Sequence, residues 1–377
     1  MIKSLEIENF KSIQHQRVEL ENLNVLIGPN GAGKSNFVSL FRFLERTSEG
    51  NLEEYIFNSG GINHFLFKGY KESGSINAKL IFMEDKNATT LHLYQFMLIS
   101  DGETYQFKHE GASYSDYNNS LNDSIWSLQT FGGKESILKS TAFNSKYERQ
   151  KKTAREVYDL LQEIKIYHFH DTSDNAQLKL PQPIDDVYHF KPEGENLAPF
   201  LLLLKERHFD TYFRIVETVR LVYPFFHDFV LEESPYAKGK VILRWKEKGS
   251  DQTYSAKQIS DGTLRFICLA ALLLQPADTN YVPRTVILDE PELGLHPFAI
   301  HILAELIQKT AMEKQVILAT QSVGLINHFT PKDLLITERN QDGATEFKRL
   351  QDEDFQQWLE DYSLGQLWES NFFGGKP

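Results

Sequence analysis

The sequence predicts an α/β fold that carries an antiparallel β subdomain and a helical insertion, and three observations predict it. The run Leu23 to Ile27 is apolar apart from Asn24 and ends at Gly28; from Ser35 to Arg46, Phe37, Leu40, Phe41 and Leu44 then recur at helical spacing. A second apolar run, Thr285 to Asp289, opens an alternation of helix 297 to 310, strand 315 to 319, helix 322 to 328 and strand 333 to 338. Between them, residues 76 to 84, 91 to 99 and 104 to 109 are rich in β-forming residues and separated by turn-like stretches, which predicts an antiparallel meander.

The remaining elements follow in chain order. Residues 2 to 8 and 16 to 20 mix apolar and charged side chains as half-buried strands do. Residues 111 to 124 are dense in Ser, Asn, Asp and Tyr and predict a loop. Helical patterns at 134 to 164, 196 to 206 and 208 to 222 are broken by the strand-like IKIYHFH and by a linker holding Pro181, Pro183 and Pro192. Strands at 226 to 233 and 240 to 247 and a helix at 262 to 274 then lead into Thr285. Residues 1–133 and 226–377 thus form two parts of one α/β body, and 134–225 an insertion between them.

Composition bounds the class. The chain has 377 residues, 41% hydrophobic and 24% charged, which excludes a disordered, collagen-like or membrane class. A chain this long buries roughly 75% of its unfolded surface. A lone Cys268 excludes an intrachain disulfide framework and a CxxC zinc site and suits a reducing cytoplasm. The opening MIKSLEIENF has no continuous apolar stretch of the export type, and the apolar run from Leu197 to Leu204 is far below the ~20 residues that span a bilayer. The expectation is a cytoplasmic protein with no membrane partner. A net charge of −12 opposes non-specific nucleic-acid binding unless a local basic face overcomes it.

Residues 28 to 35 read GPNGAGKS, a full match to GxxxxGK[ST] in the strand, loop and helix order that this phosphate-binding pattern requires. Gly28, Pro29, Asn30, Gly31, Ala32 and Gly33 form a turn whose amides point inward, and the helix that follows, through Asn36, adds a positive dipole end. In that pattern Lys34 reaches the β- and γ-phosphates and the Ser35 hydroxyl ligates Mg²⁺. Magnesium on phosphates needs a carboxylate at the end of a neighbouring buried strand, and hydrolysis needs a base to orient water. TVILDEPE supplies both: Asp289 as the metal partner through its hydration shell, and Glu290 as the general base. ATP and Mg²⁺ are the ligands expected.

The opening IENFKSI, the phosphate loop, QISDGTLR at 258 to 265, LDEPELGLHP at 288 to 297 and ATQS at 319 to 322 together resemble the RecF and SMC branch of ABC-type ATPases. More narrowly they resemble its stand-alone bacterial predicted ATPases, and WLEDYSLGQLWESNFFGG at 358 to 375 resembles the C-terminal signature of that group. The resemblance touches both ends of the chain and covers the helical middle only in outline. It implies an ABC-type ATPase head in which Ser260 and Gly262, in the signature segment, cap the γ-phosphate held by the opposite subunit. That in turn implies an ATP-dependent homodimer, paired head to tail. It also implies that ELGLHP contacts the partner subunit and that Lys11 helps hold nucleotide. The switch position, often histidine in these enzymes, is Gln321 in this chain; glutamine can hydrogen-bond but cannot become cationic, which points to slow turnover. The segment GGINHFLFKG at 60 to 69 lies where a Q-loop belongs but contains no glutamine.

The insertion is too short and too interrupted by proline to form the long coiled coil of true SMC proteins. His168 and His170 share a strand face but have no evident third ligand, so packing is their expected role. Between Lys134 and Lys165 eight Lys and Arg face five acids, and Lys146, Arg149, Lys151, Lys152 and Arg155 make this stretch the candidate DNA-tracking face. The expected function is an Mg²⁺-dependent ATPase whose dimer closure regulates an action on DNA, in genome maintenance or defence against phage. The alternative is a slowly hydrolysing, nucleotide-gated scaffold for a separately encoded nuclease or toxin.

Overall fold

The structure, a computed structural model, describes the chain except residues 84–89, 117–125, 131, 236, 277–278, 280, 352–354, 356 and 376–377. It divides into two compact units, residues 1–165 with 330–377 and residues 166–329.

In the first unit, a six-stranded antiparallel sheet runs in the order 13–19, 2–10, 75–83, 90–100, 105–116, 126–130. The strand Ser75–Met83 alternates buried and half-buried residues along its length, the pattern of a sheet with one covered face. The predicted meander forms, but its third strand runs on to Asp116 and a further strand, Trp126–Thr130, follows. The expected loop at 111 to 124 is therefore strand up to residue 116, and residues 117–124 lie outside the described residues. The polar composition misleads because Ser113 and Ser115 are small enough to be buried opposite Leu93 and Leu91. Helix Lys34–Glu49 inserts Phe43 among Phe10, Phe65 and Phe96, with ring centroids 5.4 to 6.2 Å apart. The helical stretch expected at 134 to 164 is two helices, Leu138–Asn144 and Glu148–Gln162. Ser145 breaks it by adopting an extended backbone.

The two chain ends meet in this unit. Strand Leu23–Ile27, wholly buried, pairs in parallel with Leu334–Arg339, which pairs antiparallel with Thr345–Arg349.

The second unit is built on the parallel pair Thr285–Asp289 and Gln315–Ala319, joined through helix Pro297–Ala311. Helix Asp261–Leu273 is apolar nearly all round and buried accordingly, with Cys268 fully enclosed and its thiol pKa pushed up by burial. Helices Leu197–Arg207 and Phe209–Val222 and two three-stranded sheets complete the unit. No helix among the described residues is long and apolar enough to cross a membrane.

Candidate functional site

The phosphate loop leaves its buried strand at Gly28 and enters its helix at Gly33, the N-cap. Both glycines are required by close approach. A Cβ at Gly28 would stand 2.0 Å from the Thr337 carbonyl oxygen, and one at Gly33 2.2 Å from Thr345 Oγ1. Lys34 is buried, and its ammonium donates to the carbonyls of Gly28 at 2.5 Å and Pro29 at 3.0 Å. A desolvated cation at a helix N-terminus, with the Ser35 hydroxyl exposed beside it, is a donor set that fits a phosphate chain.

Residues from far along the chain brace this loop. Thr345 Oγ1 lies 2.7 Å from the Ala32 carbonyl oxygen and 2.7 Å from Ser12 Oγ, and Asn36 Nδ2 donates to Ser12 Oγ at 2.6 Å. A carbonyl only accepts, so the Thr345 proton goes to Ala32 and the hydroxyl protons run one way, from Asn36 through Ser12 and Thr345 to Ala32. Arg339 Nε donates to the Gly31 carbonyl at 2.8 Å. The phosphate-loop motif itself gives no hint of Ser12, Arg339 or Thr345; Ser12 falls within IENFKSI, and Arg339 and Thr345 follow the predicted strand at 333 to 338.

Lys11 is half-buried in a left-handed backbone conformation at φ 51°, with Nζ 5.3 Å from the centroid of Phe65 and 5.9 Å from that of Phe10. Burial first, and the nearby Arg42 charge second, lower its pKa. Lys11, Ser12, Asn36, Tyr55, His64 and Arg339 help line a cavity of about 620 Å³ beside the loop, within the size range of small-molecule sites.

In the second unit, Asp289 ends its strand in register with Ala319. Glu290 turns sharply at φ 45°, a conformation costly for a side-chain-bearing residue, and its N–H donates to the Ala319 carbonyl at 2.8 Å. Its Oε1 accepts from Gln321 Nε2 at 2.7 Å. Behind this pair, the buried Glu292 accepts from Thr320 Oγ1, and its other carboxyl oxygen has no hydrogen-bond partner among the described residues. Burial raises the Glu292 pKa, with the Glu290 charge adding to the shift.

Ser260 caps helix Asp261–Leu273, its Oγ accepting from Thr263 N at 3.2 Å. Gly262 packs against the ELGLHP turn so closely that a Cβ would stand 2.2 Å from the Gly294 carbonyl oxygen. Arg265 holds three carbonyls, donating to Leu293 at 2.8 Å and to Phe169 and His170 at 3.1 Å each. Sequence reasoning missed it, although it closes QISDGTLR. His296 caps helix Pro297–Ala311. His168 lies 3.5 Å from Glu193 with its ring 6.1 Å from that of His170. Among the described residues the one group of three His/Cys/Asp/Glu side chains tight enough for a metal is Glu6, Glu8 and His15.

The residues predicted from sequence thus fall into two sets. Gly28 to Asn36 and Lys11 lie together in the first unit; Asp289, Glu290 and Gln321 lie together in the second, which also carries Ser260 and Gly262. On the candidate basic helix, Arg155 pairs with Asp159 at 2.9 Å and Lys152 with Glu156 at 3.8 Å. Lys146 and Arg149 are exposed.

Comparison with known proteins gives the family and the fold. Residues 23–327 match the family described as "AAA domain, putative AbiEii toxin, Type IV TA system". No curated protein matches the chain. Among solved structures it is similar to an SMC head bound to the C-terminal winged-helix domain of ScpA, at 17% identity and a TM-score of 0.61, covering 94% of this chain and 99% of that one. The SMC head domain from Thermotoga maritima gives 15% and 0.52, with 93% and 99% covered. An SMC head with an extended coiled coil, bound to the C-terminal domain of ScpA derived from Pyrococcus furiosus, gives 16% and 0.55, with 96% and 98% covered. At such identities the likeness shows the fold, which is that of an SMC-type ATPase head.

Proposed function

The chain belongs to that AAA-domain family, and from this premise we propose that it is an Mg²⁺-dependent ATPase that closes into a head-to-tail homodimer around ATP. The observation that carries the reading is the buried Lys34 ammonium folded into a glycine loop at a helix N-terminus. Family and fold alike support nucleotide binding and hydrolysis.

In this reading the loop amides and Lys34 bind the β- and γ-phosphates, while Lys11 and the cavity beside it take the nucleoside. Ser35 and Asp289 would hold Mg²⁺, Asp289 through its water shell, and the ion would offset phosphate charge when bound with the nucleotide. Glu290 orients water and receives its proton, and Gln321 fixes the carboxylate by donating to Oε1. Ser260 and Gly262 of a second copy cap the γ-phosphate and make closure depend on ATP. Residues 1–133 and 226–377 serve as the head and 134–225 as an insertion. The lone buried Cys268 is compatible with a reducing cytoplasm.

We extend the reading to an action on DNA through Lys146 and Arg149, in genome maintenance or defence; the toxin and type IV TA system in the family's description support the defence setting. A second reading, a slowly hydrolysing scaffold for a separately encoded nuclease or toxin, is favoured by Gln321, which cannot supply a cation at the switch position. The SMC heads seen with ScpA domains show this fold carrying a partner protein.

Steady-state phosphate release by the purified protein tests the ATPase. Glu290→Gln keeps shape and removes the base, so it is expected to retain ATP binding and lose turnover by about a hundredfold or more. Wild-type turnover in that variant would remove Glu290 from its role.

A further inference from the structure

The closing segment WLEDYSLGQLWESNFFGG has no task in the ATPase reading, yet it ends against the phosphate loop. Helix Leu364–Glu369 begins at a capping box made by Ser363 and Gln366. It places Trp368 fully inside the first unit. The Trp368 indole N–H donates to the Gly375 carbonyl, and the Gly375 N–H donates to Glu338 Oε2 at 3.3 Å. Gly374 and Gly375 both adopt left-handed conformations, at φ 86° and 64°. A Cβ on Gly375 would stand 2.7 Å from Ile336 Cγ2, 3.7 Å from the Gly28 Cα and 3.8 Å from the Thr337 carbonyl oxygen. Gly28 itself has room for no Cβ against that same Thr337 carbonyl. Gly28, Thr337 and Gly375 therefore lie so close together where the loop leaves its strand that a side chain on either glycine would reach its neighbours.

We propose that residues 363–375 position the phosphate loop, with Trp368 and Gly375 as positioning residues that act through Gly28. Gly28 is the lever because its carbonyl accepts from Lys34 Nζ at 2.5 Å, so a displaced Gly28 carries the ammonium with it. Phosphate recognition tolerates displacements of only a fraction of an ångström before affinity and rate fall. The consequence for ATP rests on the nucleotide-binding reading; the packing of the segment against the loop does not.

Gly375→Ala in the full chain tests this, because its methyl would meet Ile336 Cγ2 and push the segment off Gly28. Ile336→Leu removes the β-branch while keeping volume, and so serves as the rescue. Gly249→Ala is the control for backbone strain alone, since Gly249 has φ 74° and, among the described residues, nothing beyond its chain neighbours lies within 4 Å of its Cβ position. Two readouts are taken at a temperature where circular dichroism shows a folded chain: hydrogen exchange of amides 28–34 without nucleotide, and Mg²⁺-dependent binding of a fluorescent ATP analogue.

Gly375→Ala is expected to speed loop exchange and weaken analogue binding roughly tenfold, with most of both recovered by added Ile336→Leu and neither seen in Gly249→Ala. If Gly375→Ala does not fold, Trp368→Phe, which removes the indole donor together with part of the buried ring, is expected to give the same two changes. Wild-type exchange and affinity in a folded variant would overturn the proposal. Failure of the wild-type protein to bind the analogue would instead overturn the ATPase reading, and loop exchange would still decide this one.

Discussion

Gln321 donates its side-chain amide to Glu290 Oε1 at 2.7 Å. A neutral donor holds the carboxylate in place without adding charge, so Gln321→Ala is expected to lower turnover roughly tenfold and leave the KM for ATP nearly unchanged. Stopped-assay phosphate release at saturating ATP measures this. An unchanged kcat would mean that Glu290 is oriented by other groups.

Thr345→Val deletes the hydroxyl that satisfies the Ala32 carbonyl and leaves the shape intact. Urea unfolding is expected to show a loss of about 1–3 kcal/mol, the cost of a buried acceptor left unpaired. Calorimetry is expected to show weaker ATP binding as the loop loosens. Unaltered stability and affinity together would show that the bridge to Ser12 and Ala32 does not hold the loop.

Glu292 carries a pH signature. Its pKa is raised by burial, so the folded state holds its proton more tightly than the unfolded state does. Stability from this group is full below the ordinary carboxyl range and is lost as pH rises through its raised folded pKa. Glu292→Gln removes the titration. The stability difference, variant minus wild type, is expected to grow as pH rises from about 4 towards 7. A difference independent of pH would place the carboxylate in a better-solvated setting than the structure gives it.

The exposed Lys146 and Arg149 set the salt dependence of any DNA binding. Neutralising both is expected to make the slope of log affinity against log salt shallower by about 2. The ion-paired Lys152 and Arg155 are expected to contribute less, since their charge is already partly answered by Glu156 and Asp159. The same slope with and without Lys146 and Arg149 would move the DNA face elsewhere.

What could be read from sequence was local. GPNGAGKS carries its strand, turn and helix within a few residues, and the two strands that lead into Glu290 and Gln321 were each predicted, whereas their parallel pairing, with Asp289 beside Ala319, was not. What could not be read joins distant residues without a composition cue. Thr345 meets Ala32 across 313 positions and Arg339 meets Gly31 across 308. Arg265 binds three backbone carbonyls, and any residue type can supply a carbonyl, so no pattern marks its partners. The strand end at 111 to 116 read as loop because serine favours turns in isolation, whereas sheet pairing with strand 90–100 overrides that preference.

Calorimetric titration of ATP into the wild-type chain and into Lys34→Ala, each with Mg²⁺ and with a chelator, decides whether the phosphate loop holds nucleotide through Lys34. One saturable, Mg²⁺-strengthened site per wild-type chain is expected, with an affinity at least about a hundredfold weaker in Lys34→Ala. Equal affinity in the two proteins, or no binding by the wild type, would contradict it.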